Sequence, residues 1–79
     1  MNKKEEKLKV KLVSNAMAAG FTSNITAYTI KEHTQYINEM NRLSDVLVRC
    51  EFMNDMEVKQ LARSAYEYGC KQASSSESL

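Results

Sequence analysis

The sequence predicts an all-α protein of three helices, in which a long central helix forms an antiparallel pair with the C-terminal helix. The 79 residues include no proline and only two glycines, so long uninterrupted helices are possible. Apolar residues recur every three or four positions, which is the period of an amphipathic helix. Each predicted helix is preceded by an Asn or Thr with a Glu three positions later, a spacing typical of the capping box that begins helices.

The first helix is predicted over residues 3–19. Asn2 can cap its start, and Glu5 can reach back to the Asn2 backbone. Its apolar face is predicted to consist of Leu8, Leu12, Val13, Ala16 and Met17. Gly20 then supplies a residue that readily adopts the left-handed conformation found at helix ends. Polar and apolar residues alternate at 7–12, which leaves a β-strand open as the alternative for this segment.

The second helix is predicted over about residues 25–52, with a capping box at Thr29 and Glu32 and regular helix from residue 30. One apolar stripe repeats at helical spacing and consists of Tyr36, Met40, Leu43, Leu47 and Cys50. A second apolar side consists of Ile37, Val48 and Phe52. A helix that is apolar on two sides generally packs against two neighbours. We therefore expect one neighbour to be the third helix and the other to be a second subunit.

The third helix is predicted over residues 55–72. Asn54 and Glu57 form its capping box, and Met53 with Val58 forms a hydrophobic staple. Its inner face is predicted to consist of Val58, Leu61, Ala62, Ala65, Tyr68 and Gly69, whose small members permit a close helix neighbour. The short connection at 51–53 predicts that the second and third helices fold back on each other. Residues 1–72 are predicted to form one small domain, and the Ser-rich residues 73–79 a disordered tail.

The apolar core is expected to be thin, which predicts a homodimer. Ile, Leu, Val and Phe together account for sixteen residues of the 79, and a chain this short buries only ~60% of its unfolded surface. Two cysteines allow at most one disulfide, so association of two chains is the remaining source of stability. The net charge of +1 argues against a strongly basic or acidic protein.

The chain is predicted to be cytoplasmic, with reduced thiols and no membrane span. Residues 12–30 carry no charge, but Asn15, Gly20 and Asn24 interrupt them, so they do not form a continuous apolar segment of the length that a bilayer requires. Glu5 and Glu6 lie within the basic N-terminal region, which argues against a secretory signal peptide.

No residue is predicted to be catalytic, to bind a cofactor or to ligate a metal ion. His33 is the only histidine and is expected to be a packing residue at the edge of the apolar stripe. Cys50 lies on that stripe and is expected to behave as a small buried hydrophobe. The sequence contains no Gly-rich phosphate loop, zinc-binding His-Glu-x-x-His helix or calcium loop. These features predict a protein that is not an enzyme.

The predicted function is that of a small protein-interaction module, such as an adaptor, an inhibitor or a regulatory subunit, that binds itself and a partner protein. The second helix carries more apolar surface than one antiparallel neighbour can cover. The predicted dimer or partner interface consists of Tyr36, Ile37, Met40, Leu43, Leu47, Val48 and Phe52. Phages and mobile elements often encode chains of this size, so the length alone is compatible with such an origin.

The alternative is a DNA-binding regulator. Residues 16–30 resemble a helix-turn-helix, because Gly20 follows Ala16 by four positions and Thr22 could open a second helix. The resemblance implies contacts to DNA from Lys7, Lys9, Lys11, Ser23, Asn24 and Thr26. The segment departs from the motif because Ile25 falls one residue early for the apolar anchor and no Arg or Lys occurs between Lys11 and Lys31. With a strand at 7–12, the order of elements would instead resemble the ribbon-helix-helix family, although residues 13–29 are long for it.

Overall fold

Three α-helices make up the fold over residues 2–24 and 30–77, which the computed structural model describes. They are α1 (Lys3–Asn24), α2 (Ile30–Arg49) and α3 (Asp55–Glu77). The helices lie side by side in an elongated bundle of 41 × 22 × 21 Å. The prediction of an all-α, three-helix protein is confirmed for the described part of the chain.

α1 is longer than predicted, because it continues through Gly20 to Asn24. The prediction that Gly20 ends the helix is wrong, since neither glycine has a positive φ. Gly20 is instead buried against α3, where a Cβ would overlap the carbonyl oxygen of Tyr66 and lie 3.1 Å from the amide nitrogen of Cys70. The strand alternative for residues 7–12 is also excluded, since these residues are helical.

The two predicted asparagine caps are confirmed. The Asn2 side-chain oxygen accepts hydrogen bonds from the backbone N–H groups of Lys4 (3.0 Å) and Glu5 (3.4 Å). Asn54 Oδ1 accepts a bond from the Glu57 N–H at 2.8 Å, and the Glu57 carboxylate accepts one from the Asn54 N–H at 3.1 Å. The second of these pairs is a complete capping box. The cap predicted at Thr29, and the helix predicted over 25–29, lie outside the described residues.

Asn54→Ala is expected to lower the free energy of unfolding by about 1 kcal/mol. The substitution leaves the Glu57 N–H without its side-chain acceptor at the start of α3. Urea denaturation followed by circular dichroism measures the change. Asn54→Asp keeps an acceptor oxygen and is the control, expected to stay within about 0.5 kcal/mol of the wild type. Equal stability of Asn54→Ala and the wild type would show that the cap contributes nothing.

α2 ends earlier than predicted, at Arg49, because the chain turns through a left-handed residue. Glu51 has a φ of 61°. The Phe52 N–H donates to the Leu47 carbonyl at 3.1 Å, and the Glu51 N–H donates to the Val48 carbonyl at 3.0 Å, as in a Schellman motif. With 20 residues, α2 is shorter than α1 with 22 and α3 with 23. The prediction that this helix reaches residue 52 is therefore wrong.

α1 packs extensively against both other helices, whereas α2 and α3 touch at few positions. Leu12 packs with Val58, and Gly20 lies against Tyr66, so α1 and α3 run parallel. α2 runs antiparallel to both, because Leu43 packs near Leu12 and the start of α2 approaches the end of α1. The predicted direction of α2 relative to α3 is correct, but the main neighbour of each is α1.

The core lies among the three helices at the end nearest the α2–α3 connection. Its buried members are Leu12, Leu43, Leu47, Val58 and Ala62. Partly buried side chains pack around it, namely Leu8, Met40, Val48, Phe52, Met53 and Leu61. The prediction that Cys50 is buried is wrong, since it lies in the turn after α2 and is exposed. Tyr68, expected on the inner face of α3, is 52% exposed.

α3 extends to Glu77, which differs from the predicted disordered tail at residues 73–79. Ala73 is fully buried and lies one helical turn after Gly69, so it continues the small-residue face of α3. Residues 78 and 79 lie outside the described part. Within residues 2–24 and 30–77, none of the helices combines the length and the apolar character that a membrane span needs.

Candidate protein-binding groove

An open groove of about 710 Å³ runs between α2 and α3. Its floor is apolar and consists of Met40, Val48, Val58, Ala62 and Tyr66. Its edges are polar and consist of Asn41, Ser44, Asp45, Asp55, Lys59, Arg63, Glu67 and Cys70. The α3 wall spans residues 55–70, which at 1.5 Å per residue corresponds to ~22 Å. The groove is therefore long enough for about four turns of a helix.

The groove is open because α1 holds the other two helices apart. Gly69 has no side chain where α3 crosses α1, and a Cβ there would overlap the Met17 carbonyl oxygen. This close crossing draws α3 onto α1, while α2 packs against another side of α1. The α2 stripe that faces the gap carries the polar side chains of Asn41 and Ser44 beside those of Met40 and Val48.

The charged edges of the groove are balanced by ion pairs along each helix. Asp45 pairs with Arg49 at 2.9 Å, Asp55 with Lys59 at 2.8 Å and Arg63 with Glu67 at 3.7 Å. The hydrogen bond from Lys59 to Asp55, together with the negative charge of that carboxylate, raises the pKa of Lys59 above its ordinary value. Such exposed pairs contribute little to stability. These pairs place both positively and negatively charged side chains along the edges of the groove.

The polar groups near the groove floor are satisfied within the chain. The Ser44 hydroxyl donates to the Met40 carbonyl at 2.8 Å, and the Cys70 thiol donates to the Gly20 carbonyl at 3.5 Å. No buried side-chain nitrogen or oxygen among the described residues lacks a hydrogen-bond partner. A partner can therefore cover this floor by apolar contact alone.

His33 joins α2 to α1 at the opposite end of the bundle from the core. Its Nδ1 lies 3.0 Å from the hydroxyl oxygen of Thr22, which itself donates to the Ala18 carbonyl at 2.8 Å. The half-buried ring is thus a packing and hydrogen-bonding group between two helices, as the sequence suggested. Among the described residues, no three His, Cys, Asp or Glu side chains cluster as metal ligands would.

The predicted interface on α2 divides into separate environments. Met40 and Val48 line the groove, and Ile37 lies at helical spacing from Val48 on the same side of α2. Leu43 and Leu47 are 1% and 0% exposed, so other parts of the chain already cover them. They face the interior because α1 and α3 cover this stripe. Phe52 packs against the core, and Tyr36 lies beside a smaller depression formed with Met17 and Phe21.

Sequence reasoning missed the α3 wall of the groove. Lys59, Arg63, Tyr66 and Glu67 form half of it, and none of them belongs to the inner face predicted for α3. A sequence feature could have indicated the wall. Tyr66 and Cys70 follow Ala62 at intervals of four, and so form a stripe on a side of α3 distinct from the one occupied by Ala65 and Gly69.

Among the residues predicted to contact DNA, those that the structure describes do not share one surface. α1 is continuous through 20–24, so the turn of the resembled helix-turn-helix is absent. Ser23 donates to the Gly20 carbonyl at 2.7 Å, while Thr26 and the Asn24 side chain lie outside the described parts. Lys7 and Lys11 share an exposed side of α1. Lys9 projects ~200° away from Lys7 and pairs with Glu5 at 2.8 Å.

The described residues define a three-helix bundle that is open between α2 and α3. Comparisons of the chain with protein-family models, with curated proteins and with solved structures found no match.

Proposed function

We propose that the protein is a helical protein-binding module whose α2–α3 groove takes up an amphipathic helix of another polypeptide. The observation that carries this proposal is the uncovered apolar floor between two charged edges. Helix-in-groove binding uses this geometry, with apolar side chains at positions i, i+3, i+4 and i+7 resting on the floor. The groove has room for a segment of about 15 residues.

The charges at the edges define the kind of helix that fits. Asp45 lies on the α2 edge, whereas Lys59 and Arg63 lie on the α3 edge with Asp55 and Glu67 at its two ends. A strongly basic or strongly acidic helix would meet like charges on one part of the rim. The favoured occupant is therefore an amphipathic helix with both signs of charge beside its apolar stripe. This balance also argues against nucleic acid, whose binding depends on many uncompensated cations.

Ser44→Glu tests the proposal by placing a charged side chain in the groove without removing core packing. The probe is a labelled 16-residue designed peptide with a leucine stripe flanked by Glu and Lys, and binding is followed by fluorescence anisotropy. We expect Ser44→Glu to weaken binding at least about tenfold, because a carboxylate would be buried against the apolar stripe.

Ser64→Glu is the matched control, because Ser64 is exposed and lies ~200° around α3 from Ala62. It is expected to bind the peptide as the wild type does. A second control peptide of the same composition, with its leucines spread around the helix, should not bind. Equal affinity of the two peptides, or equal affinity of the two variants, would refute binding of the peptide in the groove. Salt-sensitive binding of labelled duplex DNA in place of the peptide would support the DNA alternative.

A further inference from the structure

We infer that the polypeptide that covers the α2–α3 groove is a second copy of this chain. The inference rests on the proposed function and names its partner. In the resulting dimer, α2 and α3 of the two copies form a four-helix bundle, and α1 of each copy lies on the outside. The order of charges along the two walls of the groove favours this dimer.

The short connection between α2 and α3 sets the level of each charge along the bundle. α2 ends at Arg49 and α3 begins at Asp55, and the two helices run in opposite directions. Because both rise by the same amount per residue, residues equally distant from the connection lie at the same level. Arg49 is therefore level with Asp55, and Asp45, one turn further away, is level with Lys59.

A two-fold axis parallel to the helices preserves these levels in a dimer. It places α2 beside α3 of the second copy in the antiparallel arrangement common in four-helix bundles. Asp45 then faces Lys59 of the second copy, and Arg49 faces Asp55 of the second copy. Both pairs have opposite charges, and each occurs twice because the interface is symmetric. The two walls of the groove are thus complementary to each other across the dimer.

A two-fold axis perpendicular to the helices gives the opposite result. It would lay α3 antiparallel along α3 of the second copy, with the charged residues 55, 59, 63 and 67 overlapping. Asp55 would then face Glu67, and Lys59 would face Arg63, so every pair would have like charges. Such contacts oppose association. Full overlap of α3 with α3 of the second copy is therefore disfavoured, whereas the arrangement in which α2 meets α3 brings opposite charges together.

The apolar floor supplies the remaining contact. Met40, Val48 and Tyr66 are only partly buried in one copy, and in the dimer they would meet the same three side chains of the other copy. Removal of this apolar surface from water favours association. The charged edges then determine which helices lie together.

A charge-swap experiment on the full-length protein tests the dimer. Sedimentation equilibrium is measured for the wild type, for Asp45→Lys and for Lys59→Asp. Each substitution turns both 45–59 contacts of the dimer into like-charge pairs, and we expect the dimer Kd to rise about 10- to 100-fold. An equimolar mixture of the two variants restores both contacts and should dimerise nearly as the wild type does.

Two measurements separate this effect from simple loss of folding. Circular dichroism should show wild-type helix content for both variants, because residues 45 and 59 are exposed. Lys7→Asp makes the same Lys-to-Asp change at an exposed site on α1, and should leave the dimer Kd unchanged.

Three outcomes would overturn the inference. The first is a wild type that stays a 9.0 kDa monomer from micromolar to millimolar concentration. If that monomer still bound the designed peptide, the dimer would be refuted and the proposed function would remain supported. A mixture of the charge variants that fails to dimerise would refute the pairing of α2 with α3 of a second copy. Dimerisation unaffected by Ser44→Glu, together with no peptide binding, would refute both proposals, since the groove would then bind nothing.

Discussion

Gly69→Ala is expected to destabilise the protein by about 2–3 kcal/mol. Gly69 lies where α3 crosses α1, and a Cβ on it would overlap the Met17 carbonyl oxygen and lie 2.9 Å from the Phe21 amide nitrogen. Both obstacles are backbone atoms, so no side-chain rotation can relieve the overlap and the helices must separate. Helix propensity alone would predict the opposite sign, because alanine favours a helix interior by about 1 kcal/mol over glycine.

Urea denaturation followed by circular dichroism gives the free energies of unfolding. Gly20→Ala should behave in the same way, because a Cβ there would lie 2.9 Å from the Tyr66 carbonyl carbon and overlap its oxygen. Ser64→Ala, at an exposed position on α3, adds no contact and is the control. If Gly69→Ala were as stable as the wild type or more so, the close crossing of α1 and α3 would be wrong.

Leu43→Glu is expected to abolish the folded state. Leu43 is 1% exposed and belongs to the buried cluster with Leu12 and Leu47. Truncation of such a leucine costs about 2–5 kcal/mol, and the introduced carboxylate adds the cost of burying a polar group without a partner. A small domain has only about 5–15 kcal/mol of stability in total. The helical circular dichroism signal at 25 °C should therefore be lost.

Ser44→Glu is the matched control for this substitution, because it introduces the same side chain at the adjacent position. Ser44 is half-buried and lines the groove, so this variant should remain helical while losing its partner. The two variants thus separate the core of α2 from its outward-facing side. A helical Leu43→Glu protein that fails only to bind would place Leu43 at an interface and contradict the packing described above.

α1 is the element that organises the bundle, because both other helices pack mainly against it. The sequence suggested a central second helix with one intramolecular neighbour and one partner. In the structure, the stripe of Leu43 and Leu47 is covered within the chain, and the open apolar groove is shared between α2 and α3. Charged residues on two different helices can be recognised as one pattern only when the relative direction of the helices and the position of each residue along the bundle are known.

Local features of this chain could be predicted from the sequence because they depend on residues near one another. The Asn54 and Glu57 capping box, the cap at Asn2 and the helical period of Leu43 and Leu47 all act within a few residues of the backbone that they stabilise. They determined the helical class and the start of α3. The antiparallel direction of α2 and α3 followed from the short connection.

Other features were decided only by tertiary contacts. Glycine is the residue type that commonly ends helices, yet α1 continues through Gly20. The absence of a side chain at this position allows the backbone of α3 to pack against it. Ala73 lies in a segment that the sequence assigned to a tail, yet it is fully buried and α3 continues past it. The open groove follows from the same close crossing. A small residue can end a helix or allow two helices to pack closely. Which of these occurs depends on the helix that packs against it, and that helix consists of residues distant in the sequence.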